Sequence, residues 1–474
     1  MDSVKTDYNR GFIYFICLIS AMGGLLFGYD WVVIGGAKPF YEAFFGISDN
    51  PGQQGLAMSI ALAGCLVGAM VCGSLADRIG RRPLLLISAL IFLVSAYATG
   101  AFNTFTLFLT ARFVGGIAIG LASGLSPMYI AEVAPGSIRG RLVSLNQLTI
   151  VLGILGAQIV NYLIAEPMPA GTTVPAPDSW NVLWGWRWMF WSAAFPAALF
   201  LLLALFIPES PRWLALRGRK TAATAILARI GGEGYARSEM AAIDHTAGNA
   251  AKSGLRALFT RPYAMVITLG ICIAVFQQWC GTNVIFNYAQ EIFSNAGYDL
   301  GEMLFNIVLT GITNVVFTFA AIYSVDRLGR KKLMLIGAGG LALIYAVLGT
   351  CYFMHITGFF MVILVVAAIA CYAMTLGPVT WVLIAELFPN RVRAVAVAVC
   401  TFALWTASFT LTYTFPLLNT ALGSYGTFWI YAGVCAAGFI FFSLRLPETK
   451  GKSLEELEKE LVADNQTQII STDF

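Results

Sequence analysis

Two stretches of this chain say nearly the same thing 254 residues apart. Glu132 to Arg139 and Glu386 to Arg393 share the pattern E-x-x-P-x-x-x-R. Asp77 to Arg82 and Asp326 to Lys331 share D-R-x-G-R followed by a base, offset by 249. Pro208-Glu209-Ser210 and Pro447-Glu448-Thr449 then close each copy. The order is the same in both, so the chain reads as an internal duplication. In a membrane chain, parallel repeats imply two bundles flanking a central site.

Composition makes this a membrane chain. It is 58% hydrophobic and 11% charged, with a mean hydropathy of +0.76, whereas a soluble domain carries about 25% charged residues. A span needs about 20 apolar residues. Twelve stretches qualify: 12–36, 54–76, 83–102, 105–131, 142–164, 188–207, 263–293, 303–325, 333–354, 358–387, 394–418 and 426–445. The expectation is an all-α membrane protein of twelve transmembrane helices in two pseudo-symmetric six-helix bundles. Its parts are the first bundle (1–207), a cytoplasmic linker with short helices (208–262), the second bundle (263–446) and a cytoplasmic tail (447–474). The first stretch lacks a cleavage pattern, runs too long for a signal peptide and reads as retained. With the amino terminus inside, 26 of 29 Lys and Arg fall on inner segments, leaving Lys38, Arg112 and Arg187. The positive-inside rule then places both termini in the cytoplasm. The net charge of +4 is this topological bias and gives no case for a nucleic-acid partner.

The nine cysteines lie in or beside apolar spans without zinc spacing and read as small core residues. The two histidines stand alone. No metal site, cofactor or catalytic dyad is expected. Ser210 before Pro211 reads as a helix N-cap with proline at N1, and 221–230 and 239–251 are helix-compatible. Ser453 to Glu456 makes a capping box, followed by a Leu454, Leu457, Leu461 stripe. Gly24 and Gly28, Gly64 and Gly68, and Gly116, Gly120 and Gly124 form small-residue faces suited to close helix approach.

Asp30 on span one and Arg112 on span four are ionisable residues inside apolar stretches. Each costs roughly 2.5–3.5 kcal/mol at a span centre, so they are expected to pair. The pair reads either as a structural salt bridge or as a proton site. Span seven carries Gln277-Gln278-Trp279-Cys280-Gly281-Thr282-Asn283. Carboxamides in apolar surroundings are costly unless something polar faces them, and their donors and acceptors suit sugar hydroxyls. Gln278 and Asn283 are five apart, about 140° on an ideal helix. They can share a ligand only if the helix bends, which Gly281 permits. Gln147, Asn314, Trp381 and Trp405 are further candidates. An indole can lie on a sugar's C–H face. On the inner side, Asp77, Arg81, Glu132, Arg139, Asp326, Arg330, Glu386 and Arg393 can latch a cytoplasmic gate. Exposed pairs give about 0–1 kcal/mol each, a scale suited to a latch that must also open.

From residue 11 to 460 these motifs, in this order, resemble the sugar porters of the major facilitator superfamily. Arg112-Phe-Val-Gly-Gly116, Pro208 to Leu214, Gly377 to Trp381 and Pro447 to Gly451 add to the resemblance. It implies two six-helix bundles alternating access to a monosaccharide held between them. It also implies sugar contacts at Gln147, Gln277, Gln278, Asn283, Asn314, Trp381 and Trp405. Proton-coupled members carry Asp at the Asp30 position and several facilitators Asn, so the resemblance implies symport. Bacterial xylose-carrying members have a sugar-contacting Tyr where this chain has Asn287, and Gln where it has Leu404. The implied substrate is therefore a monosaccharide, hexose or pentose, with Asn287 among its contacts.

The reading is a proton-coupled monosaccharide symporter and not an enzyme, with protons as coupling ion and no other cofactor. It would work as a monomer in the plasma membrane, or the inner membrane if bacterial. The alternatives are a facilitative uniporter with the same site, or a transporter-like sugar receptor. The short segment after Pro447 argues against the receptor.

Overall fold

The structure, a computed structural model, describes residues 8–168, 175–248, 261–388 and 392–450. Among these, eleven helical segments are long and apolar enough to cross a membrane. Spans one to six are Arg10–Phe45, Pro51–Ile79, Arg81–Ala101, Phe105–Val133, Arg139–Ile164 and Asn181–Ala204. Spans seven to ten are Tyr263–Asn287, Leu300–Ala321, Arg330–Phe353 and Phe359–Ile384. The last segment, Val395–Arg445, is interrupted at Gly423, whose φ of 68° a helix does not allow. It is therefore two spans, and the described residues hold twelve.

Span one departs from the expected 12–36. Its helix runs through Pro39 to Phe45, because Ala37, Phe40 and Tyr41 are fully buried and extend its apolar face. Lys38, which the apolar pattern leaves beyond the span, is thereby carried inside it and is 3% exposed.

The chain forms two compact units. The first is Met1–Trp31, Gly64–Ala157 and Phe190–Ala251; the second is Val32–Ala63, Gln158–Met189 and Lys252–Phe474. Below, the helix ends bearing the repeated charged motifs are called proximal and the opposite ends distal.

In the first unit, glycines set the packing. A Cβ on Gly64 would lie 2.1 Å from the Phe113 carbonyl oxygen, and one on Gly120 would lie 2.2 Å from that of Cys65. The same holds for Gly28 against Ile150 and Gly153 against Leu25. Spans two and four, and spans one and five, thus meet backbone to backbone, an approach only glycine allows. Short helices of the linker brace the proximal ends. Ser210 caps Pro211–Leu216 by accepting from the Trp213 amide at 3.2 Å. Trp213 Nε1 and Arg217 Nη2 donate to the Asp77 carbonyl at 3.0 and 2.8 Å. The helix Lys220–Gly248 kinks at Gly231 and Gly232, and its Arg229 guanidinium lies 4.0 Å from the Phe12 ring centroid. Gly231 and Gly232 have non-helical backbone angles, so two linker helices follow one another here, as expected, the second starting earlier than 239. Its end beyond 248 and the tail helix at 453–461 fall outside the described residues.

In the second unit, two spans are broken. Span seven is built from Arg261–Trp279, Thr282–Asn287 and Ala289–Asn295, interrupted at Gly281 (φ 85°) and Tyr288. Span ten is Phe359–Met374 and Leu376–Leu387, interrupted at Thr375. Their counterparts in the first half of the repeat, spans one and four, run uninterrupted.

Candidate functional site

The break in span seven brings its carboxamides together. With Gly281 in the left-handed region, Asn283 Nδ2 donates to Gln278 Oε1. Gln278 Nε2 donates to Gln277 Oε1 at 2.5 Å, and Gln277 Nε2 donates to Tyr372 Oη on span ten at 2.8 Å. The result is a one-directional relay of four side chains, its carboxamides no more than 6% exposed. Each carboxamide spends one donor on the next, leaving its second N–H and further lone pairs for a ligand's hydroxyls. Asn287, on the same short helix, is buried with its Oδ1 unpartnered.

Other sequence candidates are placed separately. Asn314 and Trp405 are buried on spans eight and eleven, and Trp381 on span ten is 41% exposed. Leu404 is buried beside Trp405 in sequence. All belong to the second unit; Gln147 lies half-buried on span five in the first. Sequence reasoning missed two polar members of the second unit. Tyr372 terminates the relay, and a lone tyrosine in an apolar span gives no spacing signal. Gln158 is 1% exposed, with Oε1 unpartnered and Nε2 3.5 Å from Thr310 Oγ1. Being an isolated glutamine, it offered no cluster to notice.

In the first unit, Arg112 Nη1 donates to Asp30 Oδ1 at 2.6 Å, with side chains 4% and 8% exposed. The contact is single: Asp30 Oδ2 and Arg112 Nε are buried without hydrogen bonds. The guanidinium carbon stands 5.4 Å from the Phe190 ring centroid. A buried carboxylate oxygen without a partner is costly. These two residues are not the only buried charges of the first six spans. Lys38 and Glu42 on span one and Arg187 on span six are 3, 6 and 6% exposed. Lys38 and Glu42 lie beyond the apolar stretch but within the lengthened helix.

The proximal ends hold two copies of one charged arrangement. Arg81 grips Glu132 with Nε and Nη2, at 2.9 and 2.8 Å, and its Nη1 lies 3.2 Å from Asp77 Oδ1. Arg330 Nη2 donates to Glu386 Oε1 at 3.0 Å, and Thr449 Oγ1 donates to Glu386 Oε2 at 2.6 Å. Arg139 Nε and Arg393 Nε donate to the carbonyls of Ala134 and Phe388. The Asp326 side chain lies outside the described residues. Both copies are completed by a carboxylate to which the sequence assigned no role. Glu209 accepts from the amides of Arg81 (2.9 Å) and Ser210 (2.7 Å), and Glu448 from those of Arg330 (2.9 Å) and Lys331 (3.2 Å). Each thus caps the positive N-terminus of the third span of its repeat. Gly80 and Gly329, at φ 100° and 89°, make the turn that lets the carboxylate in; a Cβ there would lie 2.3 and 2.7 Å from it. The repeated P-E-S and P-E-T triplets were the available signal.

Comparisons with known proteins agree on one group. A family described as sugar (and other) transporter matches residues 16–461. The arabinose-proton symporter of Bacillus subtilis is 37% identical, covering 96% of each chain. The D-xylose-proton symporter of Escherichia coli is 38% identical, covering 96% of this chain and 97% of that one. Among solved structures, the xylose transporter of E. coli in a partially occluded inward-open conformation superposes with a TM-score of 0.83. It is 36% identical and covers 94% of this chain and all of the other. With twelve apolar spans and motifs repeated in register, the chain belongs to the sugar (and other) transporter family and has the major facilitator fold.

Proposed function

We propose that the protein is a proton-coupled monosaccharide symporter that works by alternating access. It acts as a monomer in the plasma membrane, or the inner membrane of a bacterium, with both termini cytoplasmic. The observation that carries symport is the buried Asp30–Arg112 pair, held by one hydrogen bond with a carboxylate oxygen left over. Protonated, Asp30 releases Arg112 to repack; deprotonated, it recaptures it, so the empty carrier can return. Sugar is bound by Gln277, Gln278, Asn283 and Asn287, with Gln147, Asn314, Trp381 and Trp405. The relay on span seven supports this, because it presents spare donors and acceptors in a desolvated place. The relatives are named for arabinose and xylose, and others for glucose, which supports the substrate class rather than one sugar. The cytoplasmic gate is formed by Asp77, Arg81, Glu132, Arg139, Asp326, Arg330, Glu386 and Arg393. The tight Arg81–Glu132 and Arg330–Glu386 pairs make each half of it a rigid piece.

The test is sugar uptake into proteoliposomes with and without an imposed pH gradient, with external pH followed in weak buffer. Symport requires accumulation driven by the gradient and alkalinisation on sugar addition. Equilibration without proton movement would make the protein a uniporter.

A further inference from the structure

The distal end of span one carries a charged cluster outside the sites described above. Lys38 Nζ donates to Glu42 Oε2 at 3.0 Å and to Glu291 Oε1. Lys38 and Glu42 are neighbours one turn apart on span one. Glu291 comes from the last piece of span seven, just past the short helix bearing Asn283 and Asn287. The side chains are 4, 7 and 22% exposed. One ammonium therefore faces two carboxylates in a place that water hardly reaches. Glu42 Oε1, although 3.0 Å from the ammonium, accepts no hydrogen bond. The neighbouring ionisable groups are few. Tyr288 of span seven presents its ring 5.7 Å from Lys38 Nζ, and Tyr41 of span one donates its hydroxyl to Met58 Sδ of span two. Arg187 of span six lies over the rings of Phe44 and Trp186.

We propose that Lys38, Glu42 and Glu291 form a second proton-binding site, complete only while the distal ends of spans one and seven are together. The inference rests on the alternating-access reading, in which those ends must part. When they part, Lys38 keeps Glu42 through their helical spacing, and Glu291 goes into water, where its charge costs little. When they meet, a second carboxylate is pressed against an already neutral pair, leaving one uncompensated negative charge in a low dielectric. A proton shared by Glu42 and Glu291 restores neutrality. The joined state therefore binds a proton more tightly than the parted state. By linkage, acid favours closure of the distal side and alkali favours its opening, by at most about tenfold per pH unit for one proton. Since the distal side faces outward in the proposed topology, external acid would help to close the carrier over its sugar.

The experiment measures the distance between spin labels at Ser48→Cys and Ser294→Cys, by pulsed electron resonance in lipid nanodiscs. The chain lacks its nine native cysteines and carries Asp30→Asn, so that the Asp30–Arg112 pair adds no pH dependence. The short-distance population should rise as pH falls between about 8 and 5, by up to about tenfold per unit in its ratio to the long one. Glu291→Gln removes the excess charge, so the short distance should prevail throughout and the pH slope should vanish. Glu42→Gln carries the same expectation should Glu291→Gln not fold. A slope absent from the Asp30→Asn parent, or one unchanged by either glutamine, overturns the proposal. Sugar uptake by the unmodified protein is scored separately. Failure there alongside an intact, glutamine-sensitive slope would overturn the symport reading and leave this site standing.

Discussion

Gln278 is the middle of the span-seven relay, and replacing it by alanine has consequences that follow from the direction of each hydrogen bond. Asn283 Nδ2 loses its acceptor and Gln277 Oε1 loses its donor. Gln278 is 3% exposed, so water cannot freely take its place. Each orphaned group costs about 1–3 kcal/mol, and both costs fall on the ligand-free protein as well. On the proposed reading, binding would lose the contact that Gln278 offers to sugar, together with the fixed orientation of Asn283. A net loss of about 1–3 kcal/mol corresponds to roughly 5- to 150-fold weaker affinity. Gln278→Glu separates the two roles: a carboxylate still accepts from Asn283 but cannot donate to Gln277. It adds a buried charge, so it should bind sugar no better than alanine does. The assay is equilibrium binding of a monosaccharide to purified variants, with monodisperse size-exclusion profiles as the check on folding. Because the relay joins the residues, Gln278→Ala and Asn283→Ala should be non-additive by about 0.5 kcal/mol or more. Near-parental affinity in a folded Gln278→Ala protein would refute the reasoning and move the sugar site elsewhere.

Asp30→Asn should bind and exchange labelled sugar yet fail to accumulate it. The parent could reach about 100-fold accumulation across a two-unit pH gradient at one proton per sugar, and gradient-driven accumulation by the variant would remove Asp30 from coupling. Glu209→Ala and Glu448→Ala should each cost about 1–2 kcal/mol by uncapping a helix N-terminus. Thermal melts in detergent should show this, with glutamine giving a smaller loss because its oxygen still accepts. Ser210→Ala should cost about 1 kcal/mol by the same assay. Gly120→Ala places a methyl 2.2 Å from a backbone oxygen, so folded protein should be largely lost on size exclusion; full recovery would mean spans two and four can move apart.

The architecture was legible because it is written in repeated motifs and in twelve long apolar stretches, signals that local context does not blur. The break at Gly281 was legible too, since a glycine between two carboxamides announces its own freedom. The break at Thr375 left a signal that went unused: Pro378, beside Gly377, has no N–H to offer the Met374 carbonyl, so the helix is weakened where Thr375 interrupts it. The Asp30–Arg112 contact could be anticipated because ionised groups in lipid seek partners. The Lys38, Glu42 and Glu291 cluster could not be, because Lys38 and Glu42 are buried only by span one outrunning its apolar stretch, and without them Glu291 has no visible partner. Glu209 and Glu448 stood in plain view as repeats. Their role as caps required knowing that distant segments return to Gly80 and Gly329.

The unequal backbones of the two repeats have a mechanical consequence. Spans one and four keep helical geometry throughout, with one backbone bond missing at Pro39 and one at Pro127, and glycine contacts hold them close to their neighbours. Those helices give way less readily than spans built from separate pieces. At Gly281, Tyr288 and Thr375 the continuous ladder of backbone hydrogen bonds is already interrupted, so flexing there sacrifices little that is not already forgone. A duplicated chain has thus become a stiff lever in one copy and a jointed arm in the other. Strain from a captured ligand would be released where the arm has its elbows, on the same short segments that carry Asn283 and Asn287.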